Sequence, residues 1–215
     1  MKILLFANTD WYLFNFRLPL ARRLREAGHE VLLVSPAGEY GDRLEALGFR
    51  WIAAPMERRS LNPLREVALV RWLAGLMRRE RVDLVHGFTI KSAVYGSLAG
   101  RLAGVRARIN AVTGMGYVFT SEEPLARLLR PAVRLFLRLA LSGKNARLIL
   151  QNPDDRDLFV ASRLVDPGAI RLIPGSGVDC ARFQPRTTPR ADGAFRVVLP
   201  ARVLWDKGLG EYAEA

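Results

Sequence analysis

The sequence has only one cysteine, Cys180, and two histidines among its 215 residues. A single cysteine cannot form an internal disulfide, and no residues have the spacing of metal ligands, so neither a disulfide framework nor a metal site is expected. No apolar run approaches the ~18 residues that a membrane-spanning helix needs. The amino terminus turns polar by Asn8, too early for a signal peptide. These absences favour a cytoplasmic protein, either soluble or peripherally bound at the inner face of the cell membrane.

Acidic residues are also scarce, since 21 Asp and Glu stand against 33 Lys and Arg and give a net charge of +12. Such an excess favours a polyanionic partner, which can be nucleic acid, anionic lipid or a diphosphate substrate. An arginine-rich proteome would produce the same bias without any partner. The basic residues are not interleaved with aromatic residues as a base-stacking surface requires, so we expect no nucleic-acid partner.

Half of the residues are hydrophobic, enough for one domain of roughly 150 to 200 residues plus a fragment. Short apolar runs alternate with helical patterns, which predicts an α/β fold with a doubly wound parallel sheet. Ligands of such sheets lie beyond the carboxyl ends of the strands. The predicted strands are 2–7, 30–35, 49–54, 82–86, 106–112, 147–151 and 170–173. The predicted helices are one that ends at Gly28 and those at 42–47, 63–81, 92–103, 125–141 and 153–162.

The segment 8–17 follows the first predicted strand. Asn8, Asn15 and the backbone N–H groups of the first helix suit a ligand's hydroxyls or phosphate. The alternative is that Asn15 only caps this helix. The aromatic residues of the segment form a sugar-stacking wall, a lipid-facing loop or part of the core; they are Trp11, Tyr12, Phe14 and Phe16.

The segments 86–91 and 110–119 follow the fourth and fifth predicted strands. Their glycines allow close backbone approach, and their polar side chains converge on one crevice. Lys91, beside a helix start, is a suitable phosphate partner. His86 is either a functional group of this crevice or a half-buried strand-end histidine with a structural hydrogen bond.

The helix predicted at 125–141 is basic and amphipathic. Its apolar face either inserts into an anionic bilayer or packs on the sheet. Pro131 predicts a kink or a late start. The arginines of one stripe are Arg127, Arg130, Arg134 and Arg138, and the apolar residues assigned to the opposite side are Leu128, Leu129, Leu135, Phe136 and Leu139.

A glycine-rich turn at 175–178 and a polar stretch precede the segment 195–208. We predict a buried strand at 195–200, followed by a loop that carries Arg202 and Lys207. The predicted organisation is a first domain at 1–183, a linker at 184–194, and the strand, loop and helix start of a truncated second domain at 195–215. Neither a dinucleotide-binding glycine fingerprint nor a Walker loop is present.

These blocks resemble family 4 glycosyltransferases of the GT-B fold. In that family a Gly-Val-Asp…Phe…Pro segment, here at 177–185, joins a Rossmann-like acceptor domain to a nucleotide-sugar domain. The segments 8–17, 86–91 and 110–119 resemble the subgroup that extends undecaprenyl-diphosphate-linked sugars, although the glycine pair common in the first loop is absent. The resemblance covers the whole chain, which corresponds to about the first half of such an enzyme.

The resemblance implies a hexosyltransferase of cell-surface polysaccharide or glycan synthesis. It would transfer a sugar from a nucleotide-sugar, expected to be UDP-linked, to a lipid-linked saccharide, without metal or cofactor. The family's paired glutamates would lie beyond residue 215, so we expect the chain alone to be inactive or nearly so. The alternative is a non-catalytic half-domain that binds a membrane or a separate donor domain.

The resemblance also assigns roles to individual residues. His86 is predicted to be catalytic. The predicted acceptor-binding residues are Asn8, Asn15, Arg17, Thr89, Lys91, Thr113 and Gly114. The predicted donor-binding residues are Gly175, Gly177, Arg202 and Lys207.

Overall fold

The computed structural model describes residues 1–57, 60, 62–112, 124–185, 196–201, 203, 205 and 208–215, with side chains left aside at 124–127 and 129. These residues form two compact units, Met1–Gly177 and Val178–Ala215. The predicted site residues Thr113, Gly114, Arg202 and Lys207 lie outside the described residues.

The first unit is built on a parallel sheet, which confirms the predicted α/β fold. Its order is β3-β2-β1-β4-β5-β6-β7, and every neighbouring pair is parallel. The order changes direction between β1 and β4, so these two strands flank a topological switch point, where ligands of open α/β sheets bind. The strands are β1 (Lys2–Phe6), β2 (Glu30–Ser35), β3 (Arg50–Ala53), β4 (Leu84–Phe88), β5 (Ala107–Val112), β6 (Ala146–Leu150) and β7 (Ile170–Leu172).

Helices connect these strands and lie on both faces of the sheet. A π-helical turn (Leu13–Arg17) separates the first two α-helices, and a 3₁₀ turn (Pro167–Ala169) precedes β7. The α-helices of the described residues are α1 (Asp10–Tyr12), α2 (Leu18–Glu26), α3 (Gly41–Ala46), α4 (Pro63–Arg79), α5 (Ile90–Ala103), α6 (Pro124–Leu141), α7 (Pro153–Ala161) and α8 (Leu209–Glu214). The bounds of α3 to α7 agree with the predicted helices within two residues.

The start of the first helical segment differs from the prediction. The helix begins at Asp10, and the Thr9 side chain caps it by accepting a hydrogen bond from the Tyr12 N–H at 3.1 Å. Asn15 therefore lies inside the π-helical turn. The alternative that Asn15 only caps the helix is wrong, because Thr9, six residues earlier, is the capping residue.

Strand β4 extends further than predicted. Gly87 and Phe88 continue the pairing with β5, opposite Asn110 and Ala111, so His86 lies within the strand. Gly87 is needed because a Cβ atom there would lie 2.7 Å from the Cα of Ala93, in the first turn of α5. The predicted close approach of backbone at this strand end is confirmed.

The core lies on both faces of the sheet. Leu5 and Phe88 pack with the π-helical turn and with α2 and α3 on one face. Leu4 and Val85 pack with α4 and α5 on the other face. Four small residues let α5 lie close to the sheet, and all are buried; they are Ala93, Gly96, Ala99 and Gly100.

Helix α6 buries a different face from the predicted one. Leu137, Ala140 and Leu141 are buried and pack in a cluster with α5 residues such as Ala93. The residues assigned to the apolar face and described by the structure are exposed, at 76% for Leu128, 57% for Leu135, 53% for Phe136 and 45% for Leu139. The helix continues through Pro131. Within the described ranges, no helix is long and apolar enough to cross a membrane.

The second unit contains one short helix, α8, among its described residues. Residues 196–200 have no regular secondary structure, and Val197 and Val198 are 64% and 76% exposed. The buried strand predicted at 195–200 is therefore wrong for its described part. A strand needs a neighbouring strand to satisfy its backbone, and the described residues of this unit provide none. The Tyr212 hydroxyl donates to the Val197 carbonyl at 2.9 Å.

Candidate functional site

The candidate site lies at the carboxyl ends of β1 and β4. Phe6 pairs with Gly87, and continuing this parallel register places Asn8 opposite Thr89. The segment after β1 and the segment after β4 therefore meet at the switch point. The sequence predicted convergence of the segments after β4 and β5 and did not predict this meeting. Asn8 is half-buried, and its side chain makes no hydrogen bond to the residues that the structure describes.

Arg17 occupies the centre of this site. Its guanidinium carbon lies 4.5 Å from the centre of the Phe88 ring and 5.1 Å from that of Tyr12. Its Nη2 donates to the Tyr12 hydroxyl at 2.5 Å. Its Nε is buried without a hydrogen-bond partner, and no described carboxylate forms an ion pair with it. Arg17 is thus a cation held by aromatic rings, which stabilise positive charge, and it keeps a donor available.

His86 packs against the other end of the same ring system. Its ring centre lies 4.1 Å from that of Phe88, and only 8% of the residue is exposed. Burial, and then the positive charge of Arg17, lower the pKa of His86 to about 3. The imidazole is therefore neutral near pH 7, and its Nε2 is buried without a partner among the described residues. A group this weakly basic suits a hydrogen-bonding role better than that of a general base.

Thr89 joins β4 to α5 in a strained conformation. Its φ of 69° and ψ of 160° lie in a region that is essentially restricted to glycine. Its N–H donates to the Ala111 carbonyl at 2.9 Å, and its own carbonyl accepts from the Ala93 N–H. Its Oγ1 is buried and has no partner in the described structure. Strain of this kind often occurs at binding sites.

We call Arg17, His86 and Thr89 the strand-end cluster. Each has a buried polar atom that lacks a hydrogen-bond partner among the described residues. Leaving such an atom unpaired costs roughly 1–3 kcal/mol. Two of them at the end of β4 and one in the π-helical turn that packs against it indicate a place where a ligand supplies the missing partners.

Lys91 does not belong to this cluster. Its Nζ donates to the carbonyls of Glu57 at 2.7 Å and Ser60 at 3.0 Å, and to the Glu66 carboxylate at 2.9 Å. Lys91 therefore ties α5 to the segment before α4. The pKa of the neighbouring Tyr95 phenol is raised, chiefly because the phenol is buried and secondly because of the Glu66 carboxylate. The phosphate-binding role of Lys91 stays a prediction that requires a ligand to compete with Glu66.

The other predicted site residues that the structure describes, Asn15, Gly175 and Gly177, are not part of the strand-end cluster. Asn15 is exposed, and its Nδ2 donates to the Trp11 carbonyl at 2.9 Å. Gly175 and Gly177 are exposed after β7, which β5 and β6 separate from β4. Both have positive φ angles, of 71° and 75°, which favour glycine. The described residues include no group of three or more potential metal ligands.

Sequence reasoning missed Asp10, which is buried in the segment after β1. Its Oδ2 accepts hydrogen bonds from the backbone N–H groups of Tyr40 at 2.7 Å and Gly41 at 3.1 Å. Its Oδ1 accepts from the Trp11 N–H at 2.7 Å. Asp10 thereby connects the segment after β1 to the start of α3. No local signal identifies this role, because the partners lie 30 and 31 residues away.

Comparison with known proteins places this geometry in context. The sequence profile described as "Glycosyl transferase 4-like domain" matches residues 16–175. The N,N'-diacetylbacillosaminyl-diphospho-undecaprenol alpha-1,3-N-acetylgalactosaminyltransferase of Campylobacter jejuni is 24% identical over 226 residues, covering 100% of this chain and 60% of that protein. The UDP-Gal:alpha-D-GlcNAc-diphosphoundecaprenol alpha-1,3-galactosyltransferase of Escherichia coli is 26% identical over 154 residues, covering 72% of this chain and 38% of that protein. The chain thus spans at most 60% of the length of these relatives.

Solved structures share the fold. A glycosyltransferase from Rickettsia africae has a TM-score of 0.62 at 20% identity, covering 87% of this chain and 46% of that one. Sucrose-phosphate synthase from Thermosynechococcus elongatus has a TM-score of 0.63 at 14% identity, covering 86% of this chain and 51% of that one. At these identities the likeness concerns the fold, and it confirms the predicted Rossmann-like half of a GT-B arrangement.

Proposed function

This chain belongs to the Glycosyl transferase 4-like domain family, and from that membership we propose that it binds the acceptor of a glycosyl transfer reaction. The proposed acceptor is a saccharide linked through diphosphate to a polyprenol, the kind of molecule named for the relatives from Campylobacter jejuni and Escherichia coli. The proposed donor is a UDP-linked sugar, as named for the Escherichia coli relative. The reaction would extend a glycan for the cell surface.

The strand-end cluster is the observation that carries this proposal. A diphosphate-linked saccharide offers negatively charged oxygens and hydroxyl groups together. Arg17 supplies a positive charge that no described carboxylate neutralises, and guanidinium groups bind phosphate oxygens well. The unpaired Thr89 hydroxyl and the His86 Nε2 can donate hydrogen bonds to further oxygens of the diphosphate.

The proposed role of His86 follows from its protonation state. With a pKa of about 3, its imidazole stays neutral throughout the physiological range and is a poor acceptor of the proton that the attacking hydroxyl loses. We therefore assign His86 a hydrogen bond that orients the acceptor, and we do not assign it the role of general base. Its predicted catalytic role is retained only in this form.

The exposed side of α6 supports a proposed contact with an anionic bilayer at the inner face of the membrane. Leu128, Leu135 and Leu139 are exposed on the same helix as the exposed arginines Arg134 and Arg138. Apolar residues beside cations are typical of helices that lie in the membrane interface. Cosedimentation with vesicles of phosphatidylethanolamine and phosphatidylglycerol measures this contact, and Leu135→Glu should weaken it. Unchanged sedimentation of this variant would argue against the assignment.

The acceptor proposal is tested by binding a soluble analogue, GlcNAc diphosphate esterified with a short prenyl chain. Arg17→Ala should weaken binding by at least about tenfold, because it removes a charged hydrogen bond. Arg22→Ala is the matched control, since Arg22 is exposed on α2 and its loss changes the net charge equally. Equal binding by the Arg17 variant and the wild type would place the diphosphate elsewhere.

A further inference from the structure

A continuous series of rings connects the strand-end cluster to the surface. From the buried end, His86 contacts Phe88, whose ring centre lies 6.0 Å from that of Tyr12. Tyr12 lies 5.4 Å from Phe16, and Phe16 lies 5.3 Å from Trp11 in an edge-to-face arrangement. The series thus runs from His86 and the fully buried Phe88 ring to Trp11, which is 47% exposed.

The exposed end of this series is held in a defined position. Phe16 lies in the π-helical turn and is 40% exposed; such turns occur often at functional sites. Asn15, in the same turn, donates its Nδ2 hydrogen to the Trp11 carbonyl at 2.9 Å. The Asn15 Oδ1 makes no hydrogen bond to the described residues, so α1 and the turn together carry two exposed rings and an amide acceptor.

The charges around these rings distinguish a sugar from a membrane surface. Residues 8–16 contain no lysine or arginine, and the next cation along the chain, Arg17, lies against the Phe88 and Tyr12 rings. Helices that lie on bilayers place cations beside their exposed apolar residues, as α6 does. Two rings with neutral amides instead match the alternating C–H and hydroxyl surfaces of a sugar ring.

We propose that Trp11 and Phe16, with Asn15, form the surface on which a sugar ring of the acceptor stacks. The inference rests on the proposed function and deepens it, because it assigns the diphosphate to Arg17 and the saccharide to this platform. The Trp11 ring stacks on the apolar face of the sugar, and the Phe16 ring, at 73° to it, contacts the edge of the sugar. The Asn15 Oδ1 accepts a hydrogen bond from one of its hydroxyls. These residues then select for a saccharide at this position.

Two probes separate the contribution of the sugar to binding from that of the diphosphate. The affinity of the 215-residue chain is measured for each. One is GlcNAc diphosphate esterified with a short prenyl chain, and the other is the same prenyl diphosphate without the sugar. Trp11→Ala should weaken binding of the sugar-bearing probe about three- to tenfold, the size of one aromatic stacking contact, and leave binding of the sugar-free probe unchanged. The affinity of Trp11→Phe for the sugar-bearing probe should lie between those of the wild type and Trp11→Ala. Leu64→Ala, on α4, removes another exposed apolar side chain, at 81% exposure, and should change neither affinity.

Each other outcome overturns the proposal. Equal loss for both probes would mean that Trp11 acts on the diphosphate or on the fold, and a melting curve of each variant identifies the second case. Loss of vesicle binding alone, with phosphatidylethanolamine and phosphatidylglycerol, would make Trp11 a membrane contact. If the wild type binds the sugar-bearing probe and Trp11→Ala binds it equally well, the stacking platform is rejected and the proposed function stands. Absence of binding by the wild type removes both.

Discussion

The guanidinium carbon of Arg17 lies 4.5 Å from the centre of the Phe88 ring. Arg17 ends the π-helical turn that follows β1, and Phe88 is the last residue of β4, so this contact joins the two sides of the switch point. His86 packs on the same ring at 4.1 Å. A positive charge and a neutral imidazole are thereby brought together on one aromatic surface, which an anionic ligand would complement.

The low pKa of His86 predicts a pH dependence of stability. Below the ordinary pKa of 6.5, the unfolded chain binds a proton at His86 that the folded protein does not bind. Stability is therefore lost as the pH falls from about 6.5 towards about 3, by at most about 1.4 kcal/mol per pH unit from this group. His86→Gln should reduce the slope of unfolding free energy against pH by the equivalent of up to one bound proton. Urea unfolding between pH 4 and 6.5 measures this slope. At pH 7.5 the comparison isolates the packing change, and an unaltered slope in the variant would show that His86 titrates normally.

The strain at Thr89 predicts that glycine stabilises this position. Thr89→Gly should raise the free energy of unfolding by about 1 kcal/mol, because it relieves a backbone conformation that costs roughly 1–3 kcal/mol. Thr89→Ala is the matched control, since it removes the same hydroxyl and keeps the strain, and it should bring no such gain. Both variants should bind the acceptor analogue more weakly. A glycine variant no more stable than the alanine variant would contradict the strained conformation.

Removing the buried carboxylate of Asp10 should affect stability more than removing an exposed acid in the first turn of α3, the helix whose start Asp10 contacts. Asp10→Ala leaves the N–H groups of Tyr40 and Gly41 without their acceptor and should lower the free energy of unfolding by about 2 kcal/mol. Asp42→Ala removes an equal charge from the exposed first turn of α3 and should cost about 0.5 kcal/mol. Equal losses in thermal or urea unfolding would mean that the Asp10 contacts contribute little.

The contacts of Lys91 predict that its first role is to hold α5 and the segment before α4 together. Lys91→Met leaves the Glu66 carboxylate, one oxygen of which already lacks a partner among the described residues, without its cation. Stability should fall by about 2 kcal/mol, and adding Glu66→Gln should recover part of the loss. Lys144→Met, on the exposed surface, is the control. Unchanged stability together with lost acceptor binding would instead make Lys91 a ligand for phosphate.

The order of strands and helices was predictable because each buried strand forms a compact apolar run between helical patterns. The end of β4 was not, because Gly87 reads as a loop residue in the sequence. Only the pairing opposite Asn110 and the approach of Ala93 show why glycine is needed within the strand. His86 was thus predicted to be the last residue of this strand, whereas two more residues follow it in β4.

The buried face of α6 shows a second limit. Its apolar residues surround most of the helix, so a stripe of arginines identifies one exposed direction but does not decide which apolar side packs. Leu137 and Ala140 are buried and Leu135 and Leu139 are exposed, a difference set by the position of α5. The contacts of Asp10 and Arg17 depend in the same way on elements distant in sequence, and no local pattern reveals them.

The most direct test of the acceptor site is NMR of the Arg17 Nε–H group during titration with GlcNAc diphosphate esterified with a short prenyl chain. This N–H is buried and has no partner among the described residues, so a bound phosphate oxygen should shift its proton signal downfield and slow its exchange with water. The backbone signals of Thr89 and its neighbours in α5 should shift over the same concentrations. Saturable binding that leaves these signals unchanged would contradict the assignment of the acceptor to the switch point between β1 and β4.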